Sequence, residues 1–332
     1  MHTADIPRIE EEYYQISDAI LSSFPKYRPP LDLFLLKEDI GQLQLFIKKN
    51  TRITNDQVEQ LFEHCKHYNL FVSRADFPIY STHITKQLDL VLVDRNLKDG
   101  EIADITLNAL AQKVADFYDQ PVKPAYEALF EATQVVTEYL WQDKHRLRLY
   151  MQRLFTTEDG LAHQALNTFS TGLWLLCKTQ GADLRRREFD RVALALLIHD
   201  VGMTKVPAFI LGKTLPLKPE EKEKIPHHPF AGMKIAQKLE IVTEELRGIM
   251  CEHQERMDGS GYPQRLKGNA ICSLGRLAAV ADSFAAMIRK RPYADAIPLN
   301  KAALALANDK ARYDASFTTP LMVPFLTNDF SV

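Results

Sequence analysis

The stretch 251-CEHQERMDGSGYP-263 decides how the rest of this sequence is read. It places a histidine, three carboxylates, two glycines, a tyrosine and a proline within thirteen residues. Gly259 and Gly261 permit backbone angles closed to other residues, Pro263 stiffens the exit, and Asp258 can hydrogen-bond back into the turn. This is the chemistry of a preformed loop that holds the His253 imidazole in place, with Gln254 beside it. Two positions stay open for Tyr262: inside the core as a packed aromatic, or at the rim of a cavity, bracing the turn.

Outward from this loop, four more residues share its character. ALALLIHD (193–200) is apolar until it ends on His199 and Asp200, and an imidazole and a carboxylate at a buried helix end need partners. His228 follows in IPHHPFAG (225–232), and Asp282 lies inside the apolar run LAAVADSFAAM (277–287), where an unpaired charge is costly. Singly, each has a plainer explanation as a helix cap, a solvated acid or a helix-end ion pair, and for His227 that explanation is preferred. Together, three imidazoles and two carboxylates able to bridge suit one or two transition-metal ions.

Composition sets the class around this cluster. The 332 residues, 46% hydrophobic, make one large or two ordinary domains with their own cores. A net charge of −2 provides no basic field for a nucleic-acid polymer or an anionic membrane. Cys65, Cys177, Cys251 and Cys272 are scattered, which excludes a zinc framework and a disulfide scaffold and fits a reducing cytoplasm. MHTADIPRIEEEYY is too acidic for a signal peptide, and apolar runs such as 192–198 fall short of the roughly 20 residues that span a bilayer. The expectation is a cytoplasmic protein without membrane insertion.

Residues 1–100 read as a small α+β domain. LDLFLL (31–36), LQLFIKK (43–49), LFVSR (70–74) and LDLVLV (88–93) have the texture of strands. Between them, Thr54 and Gln57 stand at capping-box spacing and Val58, Leu61 and Phe62 share one face, which predicts a helix. His64, Cys65 and His67 on that helix lack further ligands at metal spacing and are read as ordinary residues. Residues 101–155 form a helical linker. Its long helix over 124–155 carries Leu129, Phe130, Val136, Tyr139 and Leu140 near period 3.6, so it packs on a neighbour or on a second copy, and a homodimer through it is expected. Helical periodicity continues through 166–178, 189–199, 219–239, 243–254 and 274–288.

The motifs IHDVG (198–202), HHPFAG (227–232), HQERMDGSGYPQRLKG (253–268), ADSFAAM (281–287) and RPY (291–293) resemble the HD-GYP family over roughly 156–320. These are HD-domain phosphodiesterases acting on cyclic di-GMP. The resemblance implies an α+β N-terminal regulatory domain followed by an all-α HD-type helical bundle over 156–332. It also implies metal-dependent hydrolysis of cyclic di-GMP to the linear dinucleotide or GMP. One or two divalent ions are implied, iron or manganese ahead of zinc and nickel. His199 and Asp200 match the HD ligands and the catalytic pair, with Asp200 as the bridge. His228 matches the HP histidine, His253 the first of a histidine pair, and Asp282 the last ligand. Gly261, Tyr262 and Pro263 match the signature loop beside the substrate, and Arg291 a position near it.

Three positions depart from the family pattern. Met203 replaces a lysine, Gln254 the second histidine of the pair, and Gln164 a histidine of the first helix, with His163 one residue out of register. The two glutamines enter as weak ligands, since an amide oxygen is a poorer donor than imidazole for these metals. Two readings follow. One is an enzyme weakened by these substitutions. The other is a catalytically impaired domain that senses cyclic di-GMP or docks a partner signalling protein through the GYP loop.

Overall fold

Short runs of Leu, Phe and Val build an antiparallel sheet in the N-terminal part of the computed structural model. It describes residues 12–37, 42–67, 69–84, 88–93, 97–157, 160–291 and 294–332. The contacts divide the chain into two units, Met1–Ala109 and Leu110–Val332. In the first, β1 (Tyr13–Gln15), β2 (Leu33–Lys37), β3 (Gln42–Ile47) and β4 (Leu70–Ser73) pair in the order β1-β4-β2-β3. Leu33 and Leu35 are buried while Phe34 and Leu36 are half-buried, the period-2 alternation of a strand with one face inward. Around the sheet stand α1 (Asp18–Ser23), α2 (Asn55–Lys66), α3 (Phe77–Ile84) and α4 (Leu88–Val93). The Thr54–Gln57 capping box forms reciprocally at the start of α2, and Val58 and Leu61 are buried. His64 on this helix turns its ring edge to Phe46, with centroids 5.6 Å apart.

Two readings of this unit need correction. LDLVLV (88–93) is helix α4, not a strand. A short run that is apolar except for Asp89 fits a strand or a helix equally, and here Leu88 and Val91 are buried at helical i,i+3 spacing. Strand β1 was not anticipated, because three residues carry too little alternation to be seen. Its Tyr14 pairs with Val72 and stacks on Tyr80 with centroids 4.7 Å apart. Residues 1–11, Pro292 and Tyr293 lie outside the described residues.

Helix α5 (Asp99–Asp119) contains the division between the units. Beyond it the chain is helical: α6 (Lys123–Gln142), α7 (Leu147–Met151), α8 (Leu161–Gln180), α9 (Arg186–Ile198), α10 (Ala208–Leu211) and α11 (Pro219–Lys222). Then come α12 (His228–Lys238), α13 (Glu244–Glu252), α14 (Ser273–Ile288), α15 (Leu299–Asn308) and α16 (Ala315–Thr327). The long helix expected over 124–155 ends at Gln142, where the Asp143 carboxylate accepts from the His145 N–H at 3.0 Å and starts a new turn. Its buried face, with Leu129, Val136 and Leu140, packs on α9. The helix expected over 219–239 is also interrupted. Pro226 sits in a 3₁₀ turn and Pro229 occupies the first turn of α12, the position where a missing N–H costs least.

Helix α8 is the axis of this unit. It is buried continuously from Gln164 to Cys177 and packs against α7, α9, α14 and α16. Gly172 permits the approach to α9, since a Cβ there would lie 2.6 Å from Leu196 Cδ1. Among the described residues no helix is long and apolar enough to cross a membrane.

Candidate metal centre

Three histidines stand at helix ends, and each uses one ring nitrogen in the same way. His199 follows α9 and its Nδ1 lies 2.7 Å from the Leu196 carbonyl. His228 opens α12 with Nδ1 2.9 Å from the Ile225 carbonyl, and His253 follows α13 with Nδ1 3.1 Å from the carbonyls of Ile249 and Met250. A carbonyl oxygen only accepts, so each Nδ1 carries a proton and each Nε2 is the ring atom left to face the cluster. Gly202 brings two of these ends together. A Cβ there would fall 1.9 Å from the His228 carbonyl oxygen, so only glycine lets the turn after Asp200 lie against α12.

The nitrogens meet around a carboxylate. His228 Nε2 and His253 Nε2 are 3.1 Å apart, and Asp200 Oδ1 lies 3.2 Å from the first and 3.3 Å from the second. All three residues are buried, and Asp200 Oδ1 has no hydrogen-bond partner among the described residues. At most one of two nitrogens this close can hold a proton. The triangle is therefore a set of facing acceptors, stable only with something positive at its centre. Its edges suit ligands with bonds of ~2.0–2.2 Å to one ion, and an imidazole and carboxylate set suits a divalent transition metal. His199, Asp200 and His253 also offer donor atoms all within 4.8 Å of one another. The His199 Nε2 reaches both carboxylates, 3.4 Å from Asp282 Oδ1 and 3.8 Å from Asp200 Oδ2.

Both glutamines face this cluster, and they do so through nitrogen. Gln164 Nε2 donates to Asp282 Oδ1 at 2.6 Å and to the Asp282 carbonyl at 3.0 Å, while Gln254 Nε2 donates to Asp282 Oδ2 at 3.0 Å. Against a carboxylate only the NH₂ end of an amide is compatible. Gln164 Oε1 is buried with no hydrogen-bond partner among the described residues. His163 lies against the Phe155 ring instead, with centroids 4.6 Å apart. Met203 is half-buried and brings no charge to the turn after Asp200.

Burial and charge compete at each titrating group. Burial pulls the His199 imidazole down, but the Asp200 and Asp282 carboxylates outweigh it and push it up to about 9. His253 moves the other way, lowered by burial and by the neighbouring imidazoles. Burial raises Asp200, yet His199, His228 and His253 hold it well below the usual carboxylate range. Asp282 is likewise lowered, with His199 overcoming burial.

The loop 253–268 is built as tightly as its glycines suggest. A Cβ at Gly261 would lie 2.5 Å from the Arg256 nitrogen and the Gln254 carbonyl oxygen. The Tyr262 N–H donates to that same carbonyl at 3.2 Å, and Asp258 accepts from the Ser260 N–H at 2.8 Å. Tyr262 is half-buried, its ring edge-on to His228 with centroids 6.0 Å apart. With Pro226, Phe230, Gly261 and Pro263 it lines a groove of about 530 Å³, so it stands at the rim of the cluster. Arg291 pairs its backbone with Ala294 beyond α14 and makes its N–H bond at 2.8 Å.

Glu255 and Arg256, within the HQERMDG motif, have a structural task that the sequence alone does not disclose. Buried Glu255 accepts from the N–H groups of Gln264 at 2.7 Å and Leu266 at 3.0 Å. Buried Arg256 donates to the His253 carbonyl at 3.1 Å and to Ser283 Oγ at 3.2 Å. Together they tie the loop to α13 and α14. Nothing in the sequence marks them, since charged residues in a glycine-rich turn ordinarily face solvent.

A family model described as "HD domain" matches residues 150–317. Over 112 residues the chain is 40% identical to the "Cyclic di-GMP phosphodiesterase" of Thermotoga maritima, covering 33% of this chain and 30% of that protein. It is 32% identical over 165 residues to the "Cyclic di-GMP phosphodiesterase response regulator RpfG" of Xanthomonas campestris, covering 49% and 43%. It is 36% identical over 113 residues to the "3'3'-cGAMP-specific phosphodiesterase 2" of Vibrio cholerae, covering 34% and 22%. The chain thus spans less than half the length of each of these relatives. Among solved structures, Bd1817, a HDG"Y"P protein from Bdellovibrio bacteriovorus, shares the fold. Its TM-score is 0.63 at 16% identity, over 95% of this chain and 99% of that one.

Proposed function

The chain belongs to the HD-GYP family of HD-domain proteins, and on that premise we propose that it hydrolyses a phosphodiester bond of cyclic di-GMP with the help of a bound metal ion. The observation that carries the reading is the acceptor triangle of His228, His253 and Asp200 beside the groove that Tyr262 lines. With His199 these residues would hold iron or manganese. Bound there, such an ion supplies a Lewis acid for the phosphate oxygens and makes water more acidic.

The chain's own residues do the positioning. Gly261 lets the loop close on the backbone of Gln254 and Arg256, which fixes the groove wall, while Tyr262 and Pro263 face the groove and are proposed to pack against a guanine base. Arg291 is proposed to lie near a phosphate. Asp200 Oδ2, the carboxylate oxygen outside the triangle, takes the proton that the attacking water gives up. A second reading is favoured by Met203, Gln164 and Gln254: a domain that binds the dinucleotide, or a partner protein at the same loop, with little turnover.

The test is incubation of manganese- or iron-loaded protein with cyclic di-GMP and, separately, with 3'3'-cGAMP, followed by separation of products. Linear dinucleotide or GMP from cyclic di-GMP is the expected result. Tight binding without product moves the protein to the second reading, and neither binding nor product contradicts both.

A further inference from the structure

We infer that this centre seats a single metal ion, because Gln164 and Gln254 convert Asp282 from a ligand into a hydrogen-bond acceptor. The inference rests on reading the cluster as a metal site, as proposed above, and concerns how many ions it takes.

The cluster separates into two parts of opposite character. In the triangle, His228 Nε2, His253 Nε2 and Asp200 Oδ1 face one another at 3.1–3.3 Å, with both Nδ1 protons spent on backbone carbonyls. That part lacks positive charge. At Asp282 each carboxylate oxygen already receives an amide N–H, from Gln164 at 2.6 Å and from Gln254 at 3.0 Å. Each amide takes one lone pair of its Asp282 oxygen, and His199 Nε2 lies 3.4 Å from Oδ1 besides, so the carboxylate offers a second cation fewer lone pairs in a neighbourhood of donors. A second ion on Asp282 would compete with two charge-assisted bonds and meet the positive ends of both amides, of which Gln164 would keep only its bond to the Asp282 backbone carbonyl. An imidazole at either position would instead offer a lone pair. His199 Nε2, between the two carboxylates, joins the first ion by giving up the proton it holds in metal-free protein.

The experiment is metal counting on the purified full chain after manganese loading and desalting, by elemental analysis and by electron paramagnetic resonance. The wild type is expected to bind one ion per chain, with the resolved hyperfine pattern of an isolated manganese. Gln164→His/Gln254→His is expected to approach two ions, with the broadened signal of a coupled pair. Asp282→Asn is expected to keep the single ion, because an amide there can still pair with both glutamines once one of them turns over. Two coupled ions in the wild type would overturn the inference and leave the proposed hydrolysis standing. No ion at all would sink both. A double variant that keeps the wild-type melting temperature and still binds one ion would show that the amides do not set the number.

Discussion

His199 is the residue at which burial and charge are most finely opposed. Its imidazole is fully buried, yet two carboxylates raise its proton affinity to about 9. The unfolded value is ~6.5, so in metal-free protein the stabilisation is complete below pH ~6.5 and disappears as pH rises through about 9. Its size is on the order of 3 kcal/mol. Thermal melts of metal-free protein between those limits should show falling stability in the wild type, with that slope missing from His199→Asn. Equal slopes would mean that the carboxylates do not hold a proton on this ring. The candidate ligands were legible because each is a polar group at the end of, or inside, an apolar helix. The amide orientation at Gln164 and Gln254 was not. It depends on an oxygen of Asp282 at a sequence separation of 118 from the first and 28 from the second.

Among the elements, loop 253–268 shows how a preformed turn is paid for by buried charge. Glu255 satisfies two loop N–H groups, so Glu255→Ala removes both bonds; the Gln264 N–H can turn to solvent, and the loss is ~1–3 kcal/mol in all. Urea melts of that variant should give a loss of this order, together with weaker cyclic di-GMP binding, because Tyr262 loses its support. Unchanged stability would place the loop's rigidity in its glycines and Pro263 alone. The helices of the second unit were readable from periodicity because they are long and one-sided. Short elements were not. The run 88–93 is apolar except for Asp89 and fits either period, β1 has three residues, and Pro226 breaks a periodicity that otherwise continues through it.

At the scale of the molecule, the second unit is an arrangement for bringing helix ends to one point. Buried α8 supplies Gln164, α14 supplies Asp282 from its interior, and the ends of α9, α12 and α13 supply the imidazoles and Asp200. The architecture, a small sheet unit followed by a helical one, could be read from the change in pattern along the chain. No change in composition marks the division inside α5, because that helix is continuous through it. The central claim is that the His228–His253–Asp200 triangle seats a metal ion. Anomalous X-ray scattering from crystals of manganese-loaded protein tests it most directly. The account predicts a peak bonded to His228 Nε2, His253 Nε2 and Asp200 Oδ1. Anomalous density confined to other positions, with the two imidazoles bridged by a proton or water, would contradict it.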